Sequence, residues 1–365
     1  MRAVSLFSGA GGMDVGFKRA GFDIVAASEL DAHACATFRA NHQATALYEG
    51  DITVNLEKLA TVKNLDVVFG GPPCQGFSVA GKMDPNDPRS KLIFSFAAAI
   101  DVLKPRMFVM ENVKALGVLS KFADVRRELM TRFYKSGYTV SMHILNAKDF
   151  GIPQSRERVF FIGVKQNVKP ANSQKFKQYI LKPPTLREAI GHLGPAGCPT
   201  NSRVCNAIVT LASKPILRKS PYAGMMFNGQ GRPLNPDGWA STLPASMGGN
   251  RTPIIDEGHL YKNSPSWVEH YHSHLMKGGK PFSMSEVPDY LRRLTVDEAA
   301  LLQGFPADYK FYGPQSKVFS QIGNAVPCKL AQVVASVAHQ LLEEQRDLRQ
   351  YEYEMGENLE LSLVS

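Results

Sequence analysis

Short apolar runs recur along the first 165 residues, and stretches in which apolar residues repeat at helical spacing lie between them. Over 91–103, for example, Leu92, Phe96 and Ile100 fall on one face of a helix. This alternation predicts a parallel-dominated α/β sheet covered on both faces, with ligands collecting at the carboxyl ends of its strands. The predicted strands are 3–7, 22–28, 66–70, 106–112, 139–145 and 158–164, with one more before Asp51.

The middle of the chain differs from the first part in composition and periodicity. Residues 166 to 290 are rich in Pro, Gly, Asn and Ser and hold few periodic segments, which predicts a smaller, loop-rich second domain. Helical spacing returns in 321–345, and this last helix is expected to pack back on the first sheet. The predicted divisions are a large domain at 1–165, a small domain at 166–290, a support segment or hinge at 291–312, a returning helix at 313–345 and a flexible acidic tail at 346–365.

Composition narrows the class of protein. The chain has 365 residues, of which 44% are hydrophobic and 21% charged, so it is globular and long enough for one large and one small domain. No run approaches the ~18 apolar residues that span a bilayer, and the first residues already belong to a strand, so no signal peptide is expected. Five cysteines without metal-type spacing indicate a reducing compartment, and no metal site is predicted.

The formal net charge is +9, and the excess of positive charge lies in the middle. Between Lys165 and Leu294 there are 17 Lys and Arg residues against 7 Asp and Glu residues. Such a segment is often only a solvated face. Where such a basic segment faces a site for a polyanionic substrate, however, it predicts a surface that contacts successive phosphates.

The sequence GGPPCQGFS at 70–78 places Cys74 in a stiff turn directly after a predicted strand. Gly70 and Gly71 let the backbone pass close to a ligand, and the two prolines that follow fix φ just before the thiol. A lone cysteine is usually a buried structural residue, but this setting predicts a positioned nucleophile.

A second motif is the glycine cluster at 9–16, which follows the first strand and opens a helix, a setting in which a nucleotide-like ligand can approach backbone N–H groups. The glycines alone fit a dinucleotide equally well. Glu29, at the end of the second strand, could accept both hydroxyls of a ribose, and Asp51 could accept from an adenine amino group.

Six motifs together resemble one family. LFSGAGGMDVGF (6–17), the Cys74 loop, ENV (111–113), QSRER (154–158), LLQGFP (301–306) and QIGNAVP (321–327) occur in the order and approximate spacing of the DNA cytosine-5 methyltransferases of bacterial and phage restriction-modification systems. The resemblance covers 1–165 and about 290–345. It implies a Rossmann-like S-adenosylmethionine-dependent methyltransferase domain with a smaller, loop-rich target-recognition domain.

The resemblance implies four catalytic residues. The Cys74 thiolate adds to C6 of cytosine, Glu111 contacts N3 and the exocyclic amino group, and Arg158 faces O2. Arg156 steadies the Cys74 loop or contacts a phosphate. The alternatives are that Glu111 only caps the segment after its strand, and that either arginine belongs to a surface ion pair.

It also implies S-adenosylmethionine as the cofactor, S-adenosylhomocysteine as its product, and no metal. Leu30 stands where many members carry Trp, and Ala325 stands where Ser is common. Asn324 could also be a helix N-cap. The implied cofactor-binding residues are Phe7, Ser8, Gly9, Gly11, Gly12, Glu29, Leu30, Asp51, Ile52, Pro73, Leu92, Asn324 and Ala325.

The target base has to be flipped out of duplex DNA, so the loop 75–91 is expected to close over the DNA. Base reading is expected from polar side chains in glycine-rich turns of the middle segment. His270, His272 and His274 alternate and are interpreted as a polar strand or loop face in preference to metal ligands. The predicted DNA-binding residues are Gln75, Ser78, Lys82, Arg89, Arg232, Asn250 and Arg251.

The resulting hypothesis is an enzyme that methylates C5 of a flipped cytosine in a specific double-stranded DNA sequence through a covalent bond from Cys74 to C6. A monomer in the cytoplasm, nucleoid-associated while bound to DNA, and acting separately from any cognate restriction endonuclease, is expected. Two alternatives stay open: a transfer RNA cytosine-5 methyltransferase, and a catalytically silent DNA-binding regulator of the same fold. The basic middle segment favours DNA over RNA.

Overall fold

A computed structural model of the chain describes residues 1–73 and 92–363, with side chains up to 347. The strands are β1 Arg2–Leu6, β2 Asp23–Glu29, β3 Ala46–Glu49, β4 Val67–Gly70, β5 Met107–Val113, β6 Tyr138–Asn146, β7 Gln154–Ser155, β8 Glu157–Lys165, β9 Leu211–Ile216, β10 Met225–Phe227, β11 Ala240–Ser241, β12 Ile254–Asp256 and β13 Leu291–Arg293.

The α-helices of the described part are α1 Gly12–Arg19, α2 Ala32–Asn41, α3 Ile52–Leu59, α4 Leu92–Leu103, α5 Lys114–Val118, α6 Ala123–Lys135, α7 Gln174–Lys177, α8 Leu186–Ile190, α9 Glu257–Lys262, α10 Trp267–Met276, α11 Val296–Leu302, α12 Gln315–Asn324 and α13 Cys328–Leu363. Short 3₁₀ turns lie at Ser120–Phe122, Ala147–Asp149, Gly191–Leu193 and Met284–Glu286.

Seven strands form the main sheet in the order β3-β2-β1-β4-β5-β8-β6. All neighbours are parallel except where β8 meets β5 and β6, to which it is antiparallel. The central strands are buried along almost their whole length, as expected for a parallel sheet that is covered on both faces. The predicted parallel-dominated α/β sheet is therefore confirmed, and its strands fall within two residues of the predicted limits.

Helices cover both faces of the sheet. On one face, Phe17 of α1 and Val333 and Val337 of α13 pack in one buried cluster with Val109 and Ile162 of the sheet. On the other face, α4 and α6 contribute to a second cluster that includes the sheet residue Phe108. The last helix thus returns to the sheet formed by the first half of the chain.

The middle segment contains short elements around a small core of its own. β9 pairs with β10, and β12 pairs with β13, both antiparallel. Phe227, Ile254, Val268, Tyr271 and Leu291 are buried together there. Within the described ranges, no helix is long and apolar enough to cross a membrane.

Two local predictions are wrong. His270, His272 and His274 lie in the helix α10, not on a strand or loop, because Val268, Tyr271, His272 and Leu275 are its buried face. Asn324 is the last residue of α12 and not an N-cap, since α13 begins only at Cys328, after Pro327. The backbone of the acidic tail is helical as far as Leu363, and the flexibility of the tail stays a prediction.

Candidate active site

Glu111 and Arg158 form a buried ion pair at the carboxyl end of β5. β5 and β8 are antiparallel neighbours, and Arg158 pairs with Val113, two residues beyond Glu111. Arg158 Nε lies 2.9 Å from Glu111 Oε1, and the side chains are only 14% and 11% exposed. Burial raises the pKa of Glu111, and the charges of Arg158 and then Arg156 oppose that rise. The pair offers a carboxyl group that can hold a proton beside a fixed cation.

The backbone leading to Cys74 is held against this pair. A Cβ atom at Gly71 would lie 2.9 Å from Glu111 Oε2, so a larger residue at 71 would displace the Glu111 carboxylate. The side-chain amide of Asn112 donates to the carbonyl of Pro72 at 3.1 Å. Glu111 and Asn112, two successive residues of β5, therefore hold the segment that leads to Cys74. This role of Asn112 was not predicted.

Glu111 is not a cap, because its carboxylate faces Arg158 and the helix α5 that follows β5 has no side-chain cap.

The predicted residues that lie outside the described ranges are Cys74, Gln75, Ser78, Lys82 and Arg89.

Arg156 is 1% exposed and connects distant segments. Its guanidinium donates to the carbonyl oxygens of Leu243 at 2.9 Å and Gly323 at 2.8 Å. Both surface alternatives, a phosphate contact and an exposed ion pair, are therefore wrong. Gln154, in the same motif, donates to Gln303 Oε1 at 2.6 Å and accepts from the Leu243 N–H at 3.1 Å. The QSRER motif thus anchors the middle segment and the last helices to the sheet.

The glycine-rich turn follows β1, as predicted. Gly9 and Gly11 have φ values of 56° and 85°, which favour glycine. The Glu29 carboxylate, at the end of β2, accepts from the backbone N–H groups of Gly9 at 2.7 Å, Leu30 at 2.9 Å and Asp31 at 2.8 Å. A Cβ atom at Gly9 would meet no atom of the described residues within 4 Å, so these residues leave that side of the turn open.

The next strand end carries the other acidic candidate. Asp51 caps α3 by accepting from the N–H of Thr53 at 2.8 Å, and its side chain is exposed. Hydrogen bonds from Thr53 lower the pKa of Asp51. The buried amide of Asn55 donates to Ser28 Oγ at 3.0 Å and Tyr48 O at 2.9 Å, tying the ends of β2 and β3 together. No sequence signal distinguished Asn55, which is simply one more polar residue of a helix.

The remaining cofactor candidates differ in their exposure and contacts. Leu30 is 68% exposed, where a ring or chain of a ligand could cover it. A Cβ atom at Gly12 would lie 2.9 Å from both Ala325 Cβ and Val326 O, so the segment after α12 lies directly against the start of α1. Ser8 N–H donates to Ser28 O at 3.1 Å. Phe7 has a φ of 54°. Among the other candidates, Ile52 is buried, Pro73 and Leu92 are half-buried, and Asn324 is exposed to solvent.

In the middle segment, Arg232, Asn250 and Arg251 are exposed on two adjoining turns. Gly231 N–H donates to Asn250 O at 3.0 Å, and Ile254 N–H donates to Arg232 O at 3.0 Å. The buried guanidinium of Arg293 donates to Thr252 O at 2.9 Å and reaches Asn228 O at 3.4 Å. Arg293 therefore holds both turns from behind, a role that the Arg-Arg pair at 292–293 did not reveal.

The fold is shared with solved methyltransferase structures. The Dnmt2 structure from Spodoptera frugiperda, a mutant form, superposes with a TM-score of 0.66 at 18% identity, over 93% of this chain and 99% of that one. The Schizosaccharomyces (S. pombe) Dnmt2 methyltransferase gives a TM-score of 0.63 at 18% identity over 94% and 99%. These likenesses concern the fold.

Sequence comparison defines the family. The model of the C-5 cytosine-specific DNA methylases matches residues 1–340, and the chain belongs to that family. It is similar to the type II methyltransferase M1.HphI of Haemophilus parahaemolyticus, at 35% identity over 91% of this chain and 85% of the relative. It is also similar to M.NgoPII of Neisseria gonorrhoeae, at 32% identity over 94% and 96%.

These comparisons confirm the predicted family and fold, and the protein is a DNA cytosine methyltransferase. The family implies S-adenosylmethionine as cofactor and DNA as substrate. In the part of the chain that the structure describes, no three His, Cys, Asp or Glu side chains are grouped as metal ligands would be.

Proposed function

We propose that this enzyme methylates C5 of a cytosine flipped out of a specific double-stranded DNA sequence, through a covalent bond between Cys74 Sγ and C6 of the base. The observation that supports this most is the buried pair of Glu111 and Arg158, packed against Gly71 and beside Pro72, just before Cys74. A nucleophile, a proton-holding carboxyl group and a cation are what this chemistry requires of a protein.

Each group has one task. The Cys74 thiolate adds to C6, and the electron pair of the C5–C6 double bond moves into the ring. Glu111, whose pKa is raised, holds a proton at N3, and Arg158 faces the negative charge at O2. C5 would then take the methyl group from the sulfonium sulfur of S-adenosylmethionine, and the S–CH3 electron pair would stay on that sulfur as S-adenosylhomocysteine leaves. Loss of the C5 proton to a base and departure of the thiolate restore the aromatic ring.

The residues around Gly9 fit S-adenosylmethionine. The open side of the turn leaves room for a ligand beside the backbone, and the Glu29 carboxylate lies at its edge. Three backbone N–H groups already use three of the roughly four acceptor positions of that carboxylate, so a ribose hydroxyl takes the remaining position or displaces one N–H. The exposed Asp51 carboxylate is available to an adenine amino group.

Residues 166–290 are proposed to read the DNA sequence. Arg232, Asn250 and Arg251 project from two turns that Arg293 fixes from behind, as recognition of base edges requires. The excess of Lys and Arg in this segment would neutralise phosphates on either side of the target.

The proposal is tested with a tritiated methyl donor and separate pools of DNA and RNA. Label is expected in duplex DNA, and label confined to RNA would overturn the proposal. Cys74→Ser should abolish transfer while DNA still binds. A duplex containing 5-fluorocytosine should trap the wild type covalently, because fluorine cannot leave as a proton does. If no adduct forms with the methyl donor present, the Cys74 mechanism is wrong.

A further inference from the structure

Behind the glycine-rich turn lies a buried polar pair that the proposed chemistry does not use. His42, just after α2, and Tyr309, in the segment between α11 and α12, are 4% and 6% exposed. His42 Nε2 lies 3.0 Å from the Tyr309 hydroxyl oxygen. The Tyr309 hydroxyl group donates to the carbonyl oxygen of Ala10, within the turn itself.

The hydrogen-bond directions follow from the number of protons. A carbonyl oxygen can only accept, so the single hydroxyl proton of Tyr309 is used by Ala10. His42 must then donate from Nε2 to Tyr309, which fixes the tautomer of its ring. Burial, with a smaller effect of Lys18, lowers the pKa of His42 to about 4, so the ring is neutral at neutral pH. His42, Tyr309 and Ala10 thus form one chain of two hydrogen bonds.

The pair also sets the shape of the turn. A Cβ atom at Gly11 would lie 2.4 Å from His42 Nε2 and 2.7 Å from the Tyr309 hydroxyl oxygen, so the two side chains press directly on the backbone there. A Cβ atom at Gly9, by contrast, would lie within 4 Å of none of the described residues. The turn is therefore backed by His42 and Tyr309 and free where a ligand can approach.

Neighbouring contacts hold the pair rigidly. The His42 ring stacks on Phe38 with centroids 4.4 Å apart. Asn41 donates to Lys310 O at 2.8 Å and accepts from Lys310 N–H at 3.0 Å, which joins the end of α2 to the chain just after Tyr309. Groups held in this way can preorganise a binding site.

We propose that His42 and Tyr309 are positioning residues for the methyl donor: by holding the Ala10–Gly11 peptide from behind, they keep the Gly9 turn in the conformation that binds S-adenosylmethionine. The inference rests on the proposed use of this turn for the donor. Its consequence is that part of the donor affinity comes from residues that never touch the donor.

The test measures binding of S-adenosylhomocysteine by isothermal titration calorimetry. Tyr309→Phe removes both hydrogen bonds and little volume, and its dissociation constant should rise roughly five- to ten-fold, as expected for about one net hydrogen bond. With S-adenosylmethionine, KM should rise similarly while kcat at saturation stays within about two-fold.

Tyr138→Phe is the matched control. Tyr138 is also buried, and its hydroxyl donates to the carbonyl of Pro105 at 2.6 Å, but it lies at the amino ends of the strands, away from the turn. Both variants should lose similar thermal stability, and only Tyr309→Phe should lose affinity. Equal affinity of Tyr309→Phe and wild type, or equal weakening by both variants, would overturn the inference.

A second pair of variants tests the hydrogen bond that His42 Nε2 donates to Tyr309. His42→Phe keeps an aromatic ring on Phe38 but has no N–H, so it should weaken binding about as much as Tyr309→Phe. His42→Gln keeps an amide donor near the position of Nε2 and should bind within about two-fold of wild type. Equal weakening by these two variants would exclude the hydrogen bond as the cause. If the wild type itself fails to bind S-adenosylhomocysteine, the proposed function is wrong as well.

Discussion

Arg158 Nε lies 2.9 Å from Glu111 Oε1 across the neighbouring strands β5 and β8, and both side chains are almost closed off from solvent. Within such a pair, removal of one charge leaves the other buried and unpaired. The pair therefore serves stability as well as the proposed chemistry, and variants can separate the two contributions.

Arg158→Met should lower the free energy of unfolding by roughly 3–5 kcal/mol at alkaline pH, because the buried Glu111 carboxylate loses the cation that pairs with it. Removal of the cation raises the pKa of Glu111 further, so the loss should shrink as the pH falls toward 4 and the carboxyl group becomes protonated. Glu111→Gln in the same chain should restore part of the loss. Urea unfolding at two pH values measures this.

The exposed pair Lys114 and Glu157 is the control, since its atoms are 2.8 Å apart but both side chains are 43% exposed. Lys114→Met should cost no more than about 1 kcal/mol. Additive effects of the Arg158 and Glu111 substitutions would show that the two groups do not interact as the structure describes.

Asp14, in the first turn of α1, predicts a pH-dependent stability. The carboxylate is fully buried, and neither oxygen has a hydrogen-bond partner among the described residues. Burial raises the pKa of Asp14 to about 7, far above its ordinary value of 3.8. The folded chain therefore binds a proton that the unfolded chain releases, and stability falls as the pH rises from about 4 through 7.

Asp14→Asn should abolish that loss and make the protein more stable than wild type at pH 8, by a few kcal/mol at about 1.4 kcal/mol per pKa unit. The difference should vanish near pH 4. Thermal unfolding across this range measures it, with the exposed Asp23 substituted in the same way as a control. A constant difference between Asp14→Asn and wild type at all pH values would contradict the assignment.

The two glycines of the cofactor turn should respond differently to alanine. Gly11→Ala brings a Cβ atom to 2.4 Å from His42 Nε2 at a φ of 85°, so it should strongly destabilise the fold. Gly9→Ala should have only the backbone cost of a φ of 56°, about 1–2 kcal/mol, because no atom of the described residues lies within 4 Å of the new group. The protein should fold but bind the donor poorly. Circular dichroism and calorimetry distinguish the outcomes, and full donor affinity in Gly9→Ala would place the ligand elsewhere.

Arg232→Ala and Arg251→Ala test the recognition segment. An arginine that reads a base should, when removed, relax discrimination at one base pair by roughly 1–3 kcal/mol. An arginine that contacts phosphate should instead weaken all sequences alike and lower the slope of log affinity against log salt by about one. Methylation of a library of duplexes at several salt concentrations separates these cases. No effect of either substitution would remove these turns from the interface.

The sequence sufficed for what local patterns determine. The sheet was predictable because its strands are continuous apolar runs, and the limits of β4 and β5 follow from those runs. The helix α10 was missed because the period-two spacing of three histidines indicated a strand or loop, although the buried residues of this segment repeat at helical spacing.

The contacts that shape the site join segments far apart in the chain. Arg156 reaches Gly323 across the fold, and His42 reaches Tyr309, although neither member of either pair has a neighbour in sequence that indicates the other. Asn112 and Arg293 likewise acquire their roles only from the carbonyl oxygens that the fold brings to them. Such pairings are set by tertiary packing and have no local signature.

The return of α13 to the sheet bears on how the protein is made. A ribosome releases all seven strands of the sheet after about half of the chain, but the face that holds Phe17, Val109 and Ile162 stays uncovered until Val333 and Val337 have been synthesised. The growing chain therefore carries an exposed apolar face through the synthesis of the entire middle segment, when aggregation competes with folding.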